Sequence, residues 1–188
     1  MAEVLRSIVL VGLPGSGKST VGRQLARRLG LAFLDSDHVI EERLGCSIRT
    51  CFELQGEQAF RDLEEATLAE LVQRPDVVLS TGGGAVLREA NRRVLRRHAW
   101  VVYLKASPEG LFRRLRHDTT RPLLQVDDPL HKLRELHAVR DPLYREVAHH
   151  VLETGRPSVS NLVAHIAMQW EQRALAGTGH GPVDGPGC

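Results

Sequence analysis

Short unbroken apolar runs punctuate the chain at Ile8–Val11, Leu31–Leu34, Val77–Leu79 and Trp100–Leu104, with a fifth at His150–Leu152. Runs of that length without polar alternation predict strands buried on both faces. Between them, apolar positions recur at helical spacing over Val21–Leu29, Phe60–Val72, Ala90–Arg97 and Pro108–Arg116. Strands alternating with helices predict an α/β fold, a central parallel sheet between two helical layers in a three-layer α/β/α arrangement. Ligands of such sheets gather outside the carboxyl ends of the strands, so the segments that follow the runs are the places to look for chemistry. Two stretches break the pattern. Residues 117–128 carry Pro122 and several turn formers between helical segments, where a closing lid is expected at about 116–128. Residues 176–188 are rich in glycine and proline with no periodic apolar face, and a disordered tail is expected there. Residues 1–175 are then expected to form one domain.

Composition narrows the classes. The chain has 188 residues, long enough for one core without disulfides or structural metal. A formal net charge of +2 is too small for a nucleic-acid surface, and neither a basic stripe nor an aromatic platform is present. Among its 25 basic residues the only lysines are Lys18, Lys105 and Lys132, and a preponderance of arginine suits bidentate recognition of phosphate and carboxylate. Cys46, Cys51 and Cys188 have no zinc-ligand spacing and an odd count, so ordinary thiols in a reducing compartment are expected. No apolar stretch approaches the ~18 residues that span a bilayer. A cytoplasmic protein with no membrane partner is expected.

The segment after the first strand, Gly12-Leu13-Pro14-Gly15-Ser16-Gly17-Lys18-Ser19-Thr20, satisfies G-x-x-x-x-G-K-[ST] between a strand and a helix. That is the context of a P-loop. Its glycines let successive backbone amides point at phosphate oxygens, with Lys18 reaching the β- and γ-phosphates and Ser19 offering its hydroxyl to Mg²⁺. A dinucleotide loop fits poorly, because Thr20 stands at the third-glycine position. After the second strand come Asp35 and Asp37, one residue apart. One can serve a metal while the other orients an attacking hydroxyl, both of which phosphoryl transfer requires; a plain Asx turn capping a helix that begins near Val39 is the alternative. After the third strand lies Gly82-Gly83-Gly84, costly unless backbone must approach a ligand or bend sharply. Residues 45–61 form an inserted block suited to a substrate flap. Phe52 and Phe60 suit either a core or a pocket wall, and Arg92, Arg93, Arg96 and Arg97 read as surface charge.

Together these motifs resemble the shikimate kinases, over nearly the whole chain to about Pro157. The resemblance rests on G-L-P-G-S-G-K-S-T at 12–20, D-S-D at 35–37, G-C-S-I…F-x-x-x-G-E-x-x-F-R at 45–61, G-G-G-A-V at 82–86, R-P-L-L at 121–124 and R-D-P-L-Y at 140–144. It implies a nucleoside-monophosphate-kinase-like P-loop fold with a substrate-binding insertion at about 36–64. It further implies that ATP is held by Gly15, Ser16, Gly17, Lys18, Ser19 and Thr20, with Arg114 near the nucleotide and Arg121 on the lid meeting the transferring phosphate. Mg²⁺ would be held through Ser19 and Asp35. Shikimate would meet Asp37 as orienting group and base, Arg61 and Arg140 at its carboxylate, and the amides of Gly83 and Gly84. Glu64, one turn beyond Arg61, would orient that arginine. Asp37, Lys18 and Arg121 would thus carry catalysis, and a monomer is expected. The alternatives are a gluconate-type kinase of the same fold and a non-catalytic nucleotide-binding regulator. Retention of Lys18, Asp37 and Arg121 argues against the regulator.

Overall fold

A computed structural model describes residues 5–118 and 125–177. The elements run β1 (Ile8–Val11), α1 (Lys18–Leu29), β2 (Ala32–Asp35), α2 (Ser36–Leu44), α3 (Ile48–Leu71), β3 (Val77–Ser80), α4 (Glu89–His98), β4 (Trp100–Lys105), α5 (Pro108–Leu115), α6 (Pro129–Val147), β5 (His150–Glu153) and α7 (Val159–Gly177). The five strands form one sheet in the order β2-β3-β1-β4-β5, with every pairing parallel. β1 sits at the centre, Ile8 opposite Val78 on one side and Trp100 on the other.

The apolar runs lack alternation because both faces are covered. Val9, Val11, Leu79, Val101 and Tyr103 point into a core closed by α3, α4, α5 and α6. Their neighbours Ile8, Leu10, Val78, Trp100 and Val102 point the other way, against Val21 and Leu25 of α1 and Leu162, Val163 and Ile166 of α7. Each such side chain taken from water is worth about 1.5–3 kcal/mol, so both layers hold the strands in place. α2 and α3 enclose a third, small cluster of Ile40, Cys51 and Phe60, with Phe52 packed on it. The Phe52 and Phe60 rings lie 4.9 Å apart.

The elements start and stop where local chemistry directs. Asp35 caps α2 by accepting from the Asp37 and His38 amides, and Gly45 ends that helix in the left-handed conformation. Ser47, Ser107 and Asp128 cap α3, α5 and α6. α3 is two helical pieces meeting at Gly56, whose φ of 85° and ψ of 171° are non-helical.

Several readings need amendment. The helix after Asp35 begins at Ser36 rather than near Val39, because the Asp35 carboxylate caps it directly. The helix read as Phe60–Val72 begins twelve residues earlier, at Ile48, because the Gly56 break interrupts its apolar periodicity. Ala176 and Gly177, placed in the expected tail, lie in α7; the remaining tail residues, 178–188, lie outside the described residues. Arg92 and Arg96 do more than carry surface charge. Arg92 binds Glu146 and the Val86 and Leu87 carbonyls, and Arg96 reaches the carbonyls of Glu146, Val147 and Ala148, which tie α4 to the end of α6.

Candidate active site

β1, β2 and β3 deliver their carboxyl ends to one cleft of about 640 Å³, lined by Gly15–Thr20, Asp35, Asp37 and Ser80–Gly83. The phosphate side is set by the turn from β1 into α1. Gly15 and Gly17 have φ of 81° and 97°, left-handed values a side chain would resist, and they turn the loop so that α1 opens on the cleft. An exposed helix start with no acidic residue in its first turn is a ready anion site. Lys18 is buried and its ammonium donates to the carbonyls of Gly12 and Leu13, at 2.7 and 2.9 Å. Arg114 of α5 reaches over the loop to the Gly15 carbonyl at 2.9 Å.

Ser19 donates its hydroxyl to Asp35 Oδ2 at 2.9 Å and lies 3.5 Å from the Ser80 hydroxyl. The other Asp35 oxygen accepts the α2 amides, Asp37 N at 3.0 Å. Asp35 therefore answers both readings of the D-S-D motif, since it caps a helix and faces the phosphate loop. Among the described residues no cluster of three or more His, Cys, Asp or Glu could hold a metal by itself.

Across the cleft from the phosphate loop, each glycine of the 82–84 run faces a polar or charged neighbour or the loop itself. A Cβ on Gly82 would stand 2.6 Å from Asp37 Oδ1; on Gly83 it would stand 2.7 Å from Pro14 Cδ and 3.1 Å from Arg140 Nη1; on Gly84 it would overlap the Arg61 guanidinium. Asp37, Arg61 and Arg140 are thereby gathered around one short backbone segment. Burial, then the charges of Asp35 and Glu64, raise the Asp37 carboxyl to about 6, against the opposing pull of Lys18. Arg61 is buried and held by Glu64 at 2.8 Å and Glu57 at 3.4 Å, and it lies over the Phe60 ring at 5.2 Å. Glu64 is almost fully enclosed, so desolvation raises its carboxyl despite Arg61 and Arg140.

Of the residues singled out from sequence, Gly15, Ser16, Gly17, Lys18, Ser19, Thr20, Asp35, Asp37, Gly83 and Arg114 line the cleft. Arg61, Gly84 and Arg140 adjoin it at the 82–84 run. Arg121 and residues 119–124 of the expected lid lie outside the described residues. Sequence reasoning missed several contributors. Ser36 accepts the Gly82 amide at 3.2 Å, Thr81 ties the glycine run to the Leu10 carbonyl at 3.0 Å, and Tyr144 donates to the Gly83 carbonyl at 2.5 Å. Thr154 and Pro157, which the resemblance places in a shortened loop near adenine, line the far wall with Ser158. Tyr144 was inside a quoted motif and so was within reach; a serine and a threonine at strand ends give no distinguishing signal.

The model of the shikimate kinase family matches residues 14–171. A shikimate kinase of Paracidovorax citrulli is 63% identical over 168 residues, covering 88% of this chain and 92% of its own. One from Burkholderia thailandensis is 55% identical over 169 residues, 90% of this chain and 92% of its own. Among solved structures, the shikimate kinase of Acinetobacter baumannii in complex with shikimate superposes with a TM-score of 0.84 at 46% identity, covering 95% of this chain and 97% of that one. A gluconokinase of Sinorhizobium meliloti reaches 0.58 at 19% identity, with 94% and 98% covered, and shares the fold alone.

Proposed function

The chain belongs to the shikimate kinase family, and from that premise we propose how its own residues move the γ-phosphoryl group of ATP to the 3-hydroxyl of shikimate, giving ADP and 3-phosphoshikimate for aromatic amino-acid biosynthesis. The observation that carries the assignment is the gathering of Asp37, Arg61 and Arg140 around Gly82–Gly84, across the cleft from the phosphate loop. Two guanidinium groups suit a carboxylate, and a carboxylate beside them suits a ring hydroxyl.

On this reading the amides of Gly15–Thr20 and the Lys18 ammonium hold the phosphates, and Arg114 steadies the loop through Gly15. Arg61 and Arg140 take the shikimate carboxylate, with the amides of Gly83 and Gly84 beside them. Asp37 orients the 3-hydroxyl and accepts its proton as the oxygen bonds to phosphorus. A carboxyl titrating near 6 is ionised at neutral pH yet basic enough to take that proton. Lys18 and Arg121 meet charge on the transferring group, and a lid at 116–128 would exclude water as a competing acceptor. Mg²⁺ fits the Ser19 and Asp35 oxygens, which are hard donors 2.9 Å apart on the phosphate side, too few to hold it without the nucleotide. When bound, the ion neutralises phosphate charge.

We assign α2 and the first part of α3 to the acceptor-binding insertion within one kinase domain. We propose that this domain acts as a monomer. No helix among the described residues is long and apolar enough to cross a membrane, in keeping with the cytoplasmic site of action we propose. The test is ADP release with ATP and Mg²⁺ in the presence of shikimate, gluconate or no acceptor. Release that depends on shikimate is expected; release with gluconate alone would overturn the acceptor assignment. Asp37→Asn is expected to lower kcat by at least about 100-fold, the scale of a lost general base, while ATP affinity measured by titration stays within twofold.

A further inference from the structure

The R-D-P-L-Y motif supplies Arg140 to the site, yet its last residue is left without a function by that reading. Tyr144 is buried, 1% exposed, and its hydroxyl donates to the Gly83 carbonyl at 2.5 Å. The neighbouring carbonyls are engaged by the loop itself, Gly82 O by the Ala85 amide and Gly84 O by the Leu87 amide, each at 3.1 Å. Gly83 O is instead secured from another element. Behind Tyr144 the support continues. The Tyr103 ring packs on it at 4.9 Å, and the Tyr103 hydroxyl donates to Asp141 Oδ1 at 2.7 Å. Arg145 holds the other Asp141 oxygen at 2.8 Å.

A peptide unit is planar and trans, so the carbonyl of one residue and the amide N–H of the next point in opposite directions. Fixing Gly83 O therefore fixes Gly84 N–H. Between two glycines that plane would otherwise turn easily, because ψ of the first and φ of the second are both nearly unrestricted. We propose that Tyr144 is a positioning residue for the acceptor: by holding the Gly83 carbonyl it aims the Gly84 amide into the pocket beside Arg61 and Arg140, with Tyr103 and Asp141 bracing its ring. The inference rests on the shikimate reading given above. The hydroxyl is suited to the task, since burial raises the phenol to about 12 and it stays a donor throughout the working range of pH.

Tyr144→Phe keeps the ring and removes the hydroxyl, which donates to Gly83 O and accepts from Arg140; the Gly84 amide readout separates the first contact from the second. The KM for shikimate is expected to rise about five- to tenfold, the effect of one lost hydrogen bond, with the KM for ATP within twofold. In ¹⁵N-labelled protein the Gly84 amide resonance should shift or broaden while the Gly17 resonance stays in place. Asp141→Asn, which loosens the brace from behind, should change both readouts in the same direction by less. Unchanged shikimate KM and an unmoved Gly84 resonance in Tyr144→Phe would overturn the proposal, as would an equal rise in both KM values, which signals general loosening. If Tyr144→Phe does not fold, Asp141→Asn decides by the same two measurements. Wild-type protein without shikimate-dependent turnover would overturn the underlying reading, and this proposal with it; normal wild-type turnover with an unaffected variant overturns the proposal alone.

Discussion

Gly82, Gly83 and Gly84 each lack a side chain where a neighbour already fills the space, and the neighbours are Asp37, Pro14 with Arg140, and Arg61. A methyl group at Gly84 cannot be absorbed by an easy swing of Arg61, because Glu64 and Glu57 hold its guanidinium. Gly84→Ala is therefore expected to raise the shikimate KM by more than about tenfold, equivalent to ~1.4 kcal/mol, while the KM for ATP changes little; steady-state kinetics with each substrate varied would check it. Asp37, Arg61 and Arg140 were legible because each belongs to a motif whose neighbours are also unusual. Arg92 and Arg96 were not. A helical arginine bonded to carbonyls of the preceding loop or of a distant helix end looks, in sequence, like any solvated arginine, since its partners are backbone atoms that carry no signature. The same holds for Ser36 and Thr81, whose roles come from where two strands happen to end.

At the level of elements, α3 breaks at Gly56, in a region of φ and ψ that is essentially open to glycine only. No atom lies within 4 Å of the place a Cβ would occupy, so the cost of a side chain there is conformational rather than steric. Gly56→Ala is expected to destabilise the fold by about 1–3 kcal/mol, read as a lower midpoint in urea. Arg61, five residues on, should lose alignment as well. The strands β4 and β5 carry a pH dependence of their own. His149 Nδ1 accepts the Val101 amide at 3.0 Å, and burial, then Arg96 and Arg173, lower the titration of its imidazole. The unfolded chain then binds more protons than the folded one, so this stability is full above about 6.5 and is lost as pH falls through the folded value. His149→Asn, which retains an acceptor, should flatten the fall in Tm between pH 7 and 5. The five strands were legible to within a residue or two; β1, β3 and β4 are covered on both faces and leave unbroken apolar runs, while the edge strands β2 and β5 are partly exposed. α7 was not recognised, although Leu162, Val163, Ile166 and Ala167 face inward at helical spacing; the apolar face is short and runs on into the glycine-rich segment. The lengthened α3 escaped notice for a different reason, the glycine that interrupts its periodicity.

For the molecule as a whole, one helical layer made of α1 and α7 backs the phosphate loop, and binding there should be felt globally. ATP at 100 times its Kd adds about 2.7 kcal/mol to stability by linkage, roughly a 5–10 °C rise in Tm for a domain of this size. Thermal scans with and without nucleotide should show that rise, and Lys18→Met should abolish most of it. The sheet order has a consequence for how the molecule is made. Of the five described strands β1 leaves the ribosome first, yet its partners are Val78–Ser80 on one side and Trp100–Tyr103 on the other. Parallel neighbours so remote in sequence are closed late and at high entropic cost. At roughly 5–20 residues per second, the strand that ends in the phosphate loop waits several seconds for its first neighbour and longer for its second. The phosphate loop is thus synthesised well before the neighbours that complete its strand pairing, and until then Ile8–Val11 is an unpaired apolar strand, open to capture by a chaperone or by another nascent chain.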